Sequence, residues 1–282
     1  MLEVLKSGGE IQIIDSGRVG YRRFGVPVSG AMDLISANRA HSILGNPTTL
    51  PLLEIYLPGH EFVFHKQAFV ALTGANTRCE INRSPVSMNS VHKINPNDIL
   101  ALHQMYHGSR VYLSILGGFD VPKILNSYSP IPGPSNIRIV KGTRIEYKEH
   151  SEIDVPHSTL SGMNVHTEFP IDCFKGPEWR YLNNDQKQQV LDTKWIINKL
   201  ANRMGLRTDG RKVDGQWQSE IYSSAVLPGT VQLLPTGKPL ILMRDCQTTG
   251  GYPRILQISE YSINYLGQRR PGDSIQFRMI NS

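Results

Sequence analysis

The residues best equipped for chemistry stand together near the end of the chain, in Asp245-Cys246-Gln247-Thr248-Thr249-Gly250-Gly251-Tyr252-Pro253. An apolar run, Pro239 to Met243, precedes them and reads as a buried strand. Asp245 therefore puts a carboxylate at a strand end, where burial and neighbours can tune a group for proton transfer. Thr248 and Thr249 add short hydroxyl donors, and paired glycines let backbone N–H groups face outward and approach a ligand closely. Taken alone, the stretch is better read as a tight turn with an N-capping threonine, and only the other stretches that point to the same place favour a site. Cys246 invites a nucleophile reading, but no histidine follows His166 to activate it, and a small buried residue is the plainer account.

Other stretches carry weaker signals. Phe24-Gly25-Val26-Pro27-Val28-Ser29-Gly30-Ala31-Met32-Asp33 is punctuated by Gly, Pro and Ser, and a helix is expected from Ala31 to Leu44. Ser29 can cap it, leaving first-turn N–H groups open to an anion, and Gly45 is placed to stop it. A plain capped helix explains this motif as well. His103 and His107 stand four apart, but between two strand-like runs and with no acidic third ligand, so they read as turn residues and no metal is expected. No GxxxxGK[ST] phosphate loop occurs.

These groups must be positioned by many short elements. Of 282 residues, 39% are hydrophobic and 19% charged, the balance of a folded chain rather than a disordered one. Runs such as Glu61–Phe64, Ala68–Leu72, Asp98–Leu102 and Arg110–Ile115 are separated by turn residues at the spacing of a barrel or sandwich. Asn183 to Leu191 is polar and Gln-rich, a surface helix. Residues 148–165 are polar with little periodicity, so the chain divides into units 1–155 and 156–282, the second carrying the Thr-Thr-Gly-Gly-Tyr-Pro motif. Asn97–Phe119 is weakly echoed by Gly229–Tyr252, which two related units or chance likeness between hairpins explains equally. The net charge of +6 is dispersed, which suits an anionic small substrate or an acidic partner better than nucleic acid. Three scattered cysteines argue for reduced thiols and a cytoplasmic location. No apolar run approaches the length of a membrane span.

Taken in order, Gly17-Arg18, Gly25 to Asp33, Leu72 to Ala75, Gly117-Gly118, Gly176-Pro177, Asn202 to Gly205, Ser219-Glu220, Gln247 to Pro253 and Pro271-Gly272-Asp273 resemble the biotin-dependent carboxyltransferase family, also called the allophanate hydrolase subunit 2 or urea amidolyase-related family. No single piece is specific; nine in register are. Ile14, Val19 and Thr208 depart from the usual Gln, Pro and Leu beside these motifs.

The resemblance implies a mostly β (α+β) chain of two tandem cyclophilin-like β-barrel units with a few short helices. It implies the C subunit of an ATP-dependent 5-oxoprolinase, which opens 5-oxo-L-proline to L-glutamate together with A and B subunits. ATP with Mg would bind at an interface between these chains, the lactam oxygen would be phosphorylated, and water would then attack. Arg18, Arg203 and the backbone of Thr249-Gly250-Gly251 would stabilise charge on that oxygen, with Asp245 or Glu220 as base. Tyr252 and Gln268 would line the pocket, and Ser29, Asp33, Asn202, Gln247 and Thr248 would bind substrate. The same family implies two alternatives: biotin-dependent carboxylation of urea or another amide, or a regulatory protein that binds a kinase inhibitor. No Met-Lys biotinylation site is present, so biotin would arrive on a separate carrier.

Overall fold

The computed structural model describes residues 1–133, 138–150, 170–215 and 221–280. The chain divides into two units, Met1–Arg18 with Asp33–Val165, and Val19–Met32 with His166–Ser282. The boundary expected at 155/156 lies outside the described residues. Val19–Met32 goes with the second unit, whose core takes the fully buried Met32.

The first unit contains β1 (Leu2–Lys6), β2 (Ile11–Ile14), α1 (Leu34–Ile43), β3 (Leu52–Tyr56), β4 (His60–Phe64), β5 (Ala68–Ile81), β6 (Ser84–Val86), β7 (Val91–Ile94), β8 (Ile99–Ile115) and β9 (Arg144–Ile145). Alternation sets the faces: in β4, His60, Phe62 and Phe64 are buried while Glu61 and Val63 are partly exposed. All strand pairs are antiparallel and centre on β8, whose ends pair with β4 and β3 on one side while β5 runs along the other. The sheet curls around Leu2, Val4, Phe62, Leu72, Leu100 and Leu113.

Two sequence expectations are corrected here. His103 and His107 lie within the continuous strand β8, not in a turn, and β8 pairs there with β5. The β5–β8 register slips between Gly74 and Asn76, Asn76 and Thr77, and Thr77 and Cys79. Such bulges break the alternation a sequence reader follows while the pairing continues. Second, α1 starts at Leu34 rather than Ala31 and is capped by Asp33, which accepts from Ser36 N at 3.0 Å and Ser36 Oγ at 2.5 Å. Ser29 (φ 58°) and Gly30 (φ 83°) are left-handed and cannot belong to the helix. Gly45, at φ 69°, follows the C-cap as expected.

The second unit contains β10 (Ile171–Lys175), α2 (Asn184–Asp192), β11 (Trp195–Ile197), β12 (Gly205–Asp209), β13 (Ser224–Ala225), β14 (Thr230–Leu233), β15 (Pro239–Leu242), β16 (Thr249–Gly250), β17 (Arg254–Ile258), α3 (Glu260–Gly267), β18 (Ser274–Ile275) and β19 (Phe277–Met279). The main sheet runs β18-β11-β12-β15-β14-β17-β10-β19. Its two outermost strands are one short segment interrupted only at Gln276, so the sheet closes on itself as a barrel. Trp195, fully buried, fills the core and donates its indole N–H to Val190 O at 3.0 Å. Helix α2 begins with a capping box between Asn183 and Gln186, where the surface helix was expected. The echoing stretches differ in structure: β14 and β15 form a hairpin, whereas Ile99–Ile115 is a single strand. The described chain is mostly β, with three α-helices, none long and apolar enough to cross a membrane.

Candidate functional site

In the second unit the exit of β15 meets the entrance of β12. Met243 N donates to Met204 O at 3.0 Å, Asp245 N to Arg203 O at 2.9 Å, and Cys246 N back to Met243 O at 3.0 Å. Asn202 builds the facing turn: its Oδ1 accepts from Met204 N at 2.8 Å and Gly205 N at 3.2 Å. Arg203 is thereby aimed at Asp245. Its Nε donates to Oδ2 at 2.8 Å and its Nη2 to Oδ1 at 3.1 Å, with Gly30 O a further acceptor at 2.6 Å. Both residues are only 7% exposed. This planar two-point pairing is what guanidinium and carboxylate geometry favours, and it holds both groups rigid. The arrangement makes Asp245 the anchor of that guanidinium.

The Ser29–Gly30 bend lies along the same turn. Ser29 N donates to Arg244 O at 3.0 Å, and the Ser29 side chain is buried. Arg244, also buried, reaches Glu260 Oε1 at 3.0 Å and Asn264 Oδ1 at 3.3 Å on α3. Gln268, buried, ends that helix and donates its backbone N–H to Tyr265 O at 3.0 Å.

The Thr-Thr-Gly-Gly stretch is a short strand rather than an anion-binding turn. Thr249 and Gly250 pair with Ala225 and Ser224, Val226 N donates to Thr248 O at 3.1 Å, and Ile221 N to Gly251 O at 3.1 Å. Neither glycine is left-handed. Gly250 is required for space: a Cβ there would stand 2.5 Å from Gln232 Nε2. Gln232 is fully buried and donates to Tyr252 O at 3.4 Å. Arg22 reaches the carbonyls of Val226 and Thr248 from Val19–Met32. Arg254 braces the neighbouring strand through Ala225 O at 3.0 Å, and Glu178 grips Arg254 through Nε and Nη2 at 2.9 and 2.8 Å. That hydrogen-bonded guanidinium holds the Glu178 carboxyl below its ordinary range. The side chains of Gln247 and Thr249 are exposed and bond to no other described residue, so they are the groups left to meet a ligand.

Cys246 is fully buried and its thiol is pushed up to about 11 by burial, partly offset by Arg22. It keeps its proton at neutral pH, as a buried residue rather than a nucleophile. Arg18 and Asp33 belong to the first unit. Arg18, 2% exposed, donates to Ser129 O and to Pro130 O at 3.4 Å, while Asp33 caps α1. Glu220 lies outside the described residues. Among the described residues no group of histidine, cysteine and carboxylate side chains is arranged to hold a metal. Sequence reasoning singled out Arg203 and Asp245 but missed Arg22, Gln232, Glu178 and Arg254. Only Gly176-Pro177, adjoining Glu178, hinted at them, since a Cβ on Gly176 would stand 2.2 Å from Arg254 O.

Comparison with known proteins accounts for nearly the whole chain. It is 30% identical to the 5-oxoprolinase C subunit of Escherichia coli (strain K12), over 98% of this chain and 90% of that protein. It is also 30% identical to the urea amidolyase of Lachancea kluyveri, over 99% of this chain but 17% of that much longer protein. The crystal structure of the K. lactis urea amidolyase superposes with a TM-score of 0.90 at 28% identity, covering 99% of this chain and 19% of that one. The family model described as carboxyltransferase domain, subdomain A and B, matches residues 24–279. The chain belongs to this carboxyltransferase-domain family.

Proposed function

We propose that this chain is the C subunit of an ATP-dependent 5-oxoprolinase, working with A and B subunits to open 5-oxo-L-proline to L-glutamate. One observation carries the reading. The likeness to the E. coli 5-oxoprolinase C subunit spans 98% of this chain and 90% of that one, whereas the urea amidolyase likeness spans a small part of a multi-part protein.

The Thr-Thr-Gly-Gly backbone is extended and paired rather than curled into a phosphate cradle, which supports giving this chain the lactam side of the reaction. ATP, when bound, supplies the phosphoryl group that turns the lactam oxygen into a leaving group. The substrate carries a carboxylate, and charge develops on the lactam oxygen as the ring opens. Arg203, fixed by Asp245, provides an oriented positive centre that need not reorganise during reaction. Gln247 and Thr249 supply exposed polar groups on the adjoining strand. Asp245 acts as a positioning residue; Glu220 remains a candidate base, and Arg18, Asp33, Tyr252 and Gln268 candidate binding residues.

The test is reconstitution. The chain is co-expressed with the A and B subunits of its genome, and glutamate is measured from 5-oxo-L-proline with and without ATP, omitting each chain in turn. ATP-dependent glutamate that vanishes without this chain is expected. A complex that assembles and releases no glutamate defeats the reading. Because the chain matches urea amidolyase at the same identity, biotin-dependent carboxylation of urea is the second activity to assay.

A further inference from the structure

The curled sheet of the first unit leaves a seam along the free edge of β2. Strand β2 ends the sheet on one side and β9 on the other. Tyr56 N donates to Glu10 O at 2.8 Å, and Gln12 pairs with Glu54 and Ile14 with Leu52. Antiparallel alternation then turns the N–H and C=O of Gln12 toward β3 and those of Ile11 and Ile13 away from it. Residues 138–140, on the approach to β9, stand across the seam. Among the described residues no hydrogen bond joins them to β2, and none reaches the outward groups of Ile11 and Ile13.

Two openings follow one another along this edge. At Ile13 lies a cavity of about 100 Å³, walled by Ile13, Val121, Ile124, Tyr128, Pro130 and Ile139 and with no charged lining residue. At Ile11 lies one of about 350 Å³, lined by Ser7, Glu10 and Arg138 as well as Ile139. Glu10 is engaged: its Oε1 accepts from Gln12 Nε2 at 2.7 Å. Arg138 is exposed and bonds to no other described residue. Ile11 and Ile13 are two residues apart, so the openings repeat at about 7 Å, the spacing of side chains on one face of a strand. The apolar wall is held in advance. Asp15, buried, accepts from Ser127 Oγ and Ser129 Oγ at 2.7 Å and from Tyr128 N at 2.8 Å.

We propose that the seam takes in one further strand: an extended segment of a partner protein that carries an apolar side chain and, two residues along, a carboxylate. Its main chain meets the unpaired N–H and C=O of Ile13 and Ile11, the pairing that an exposed sheet edge offers. The apolar side chain, opposite Ile13, enters the uncharged cavity, where the cost of desolvation excludes a charged group. The carboxylate, opposite Ile11, meets Arg138, and the chain's net charge of +6 draws an acidic segment toward it. A compact ligand would fill one opening and leave the edge groups beside the other unmet. A strand fills both, because backbone pairing and alternate side-chain pockets share one repeat. The inference stands apart from the oxoprolinase reading, because binding is measured on this chain alone.

The experiment titrates the ¹⁵N-labelled full chain with two blocked threonine pentapeptides. One has isoleucine second and aspartate fourth, and the other has that order reversed. Saturable shifts of the Ile11 to Ile14 amide signals are expected with one of them, at a Kd of roughly 1 mM. Methylating the isoleucine nitrogen, which removes the donor to Ile13 O, should weaken binding about tenfold, and threonine in place of isoleucine should do the same. Asparagine in place of aspartate should weaken it about threefold, as should Arg138→Gln, and the two together no more than either alone. Arg138 is exposed, so this variant keeps the fold. Absence of saturable shifts at Ile11 to Ile14 with either peptide, or an indifferent Arg138→Gln variant, overturns the proposal. So does equal binding of the N-methyl peptide, which would mark a pocket for a compact apolar ligand. Shifts of the same signals on raising the chain's own concentration without peptide also overturn it, by assigning the edge to a second copy.

Discussion

Removing the charge at Asp245 distinguishes an anchor from a base. In Asp245→Asn the Arg203 guanidinium stays buried with its counter-charge gone, a change that costs about 3 kcal/mol when a buried pair is broken. We expect glutamate formation and the urea midpoint to fall together. Lost activity with an unchanged midpoint would instead make the carboxylate the proton acceptor. At Gly250 the decisive neighbour is the fully buried Gln232 amide, 2.5 Å from where a methyl would stand. Gly250→Ala should destabilise by about 1–3 kcal/mol, and distinctly less in a Gln232→Ala background. Additive losses in that double-mutant cycle would show that a neighbour other than Gln232 carries the cost. Arg203 and Asp245 were legible in the sequence because each stands in a short motif. Arg22 was not, because its acceptor Val226 lies 204 residues away, and only the folded barrel makes them neighbours.

Helix α1 packs a histidine where no charge can be solvated. His41 is 1% exposed, its Nδ1 lies 3.0 Å from Ser114 Oγ on β8, and burial pushes its pKa down to about 4 from 6.5. The folded state therefore favours neutral imidazole. Stability is fully present above pH 6.5 and declines as pH falls toward 4, by about 3 kcal/mol in total, because the unfolded chain binds the proton first. Unfolding free energies from urea titrations at pH 7.5 and 4.5 should differ by much of this amount in the wild type, and His41→Gln should narrow the difference. An unchanged difference would place the acid sensitivity elsewhere. Element legibility followed local chemistry. Gly45 after α1 and Asn183 before α2 were readable because termini are set by neighbouring residues. Strand β8 was not, since its polar middle, His103 to Ser109, reads as a turn until β5 is known to bulge beside it.

At the scale of the whole molecule, each unit carries its own buried thiol reporters. Cys79 sits in the first core, with Cys173 and Cys246 in the second unit, and burial pushes them up to about 12, 12 and 11. At pH 8 the folded chain should alkylate at least ~100-fold more slowly than in urea at all three positions. Site-resolved mass spectrometry through a urea series then gives each unit's unfolding separately, and prompt labelling of native Cys246 would refute its burial. A mostly β chain was readable from run lengths and turn residues. The assignment of Val19–Met32 was not, because a segment crossing from one unit's sequence to the other's core leaves no local mark. The segment that closes the second barrel has a consequence in time. Residues 274–279 supply both edge strands of that sheet, so until the ribosome has delivered them β11 and β10 stand exposed at opposite edges. The second unit thus uses chain made early, Val19–Met32, and chain made after every other strand of its sheet. The nascent protein must hold two adhesive edges unpaired until that last segment emerges, the interval in which a chaperone or a neighbouring chain competes for them.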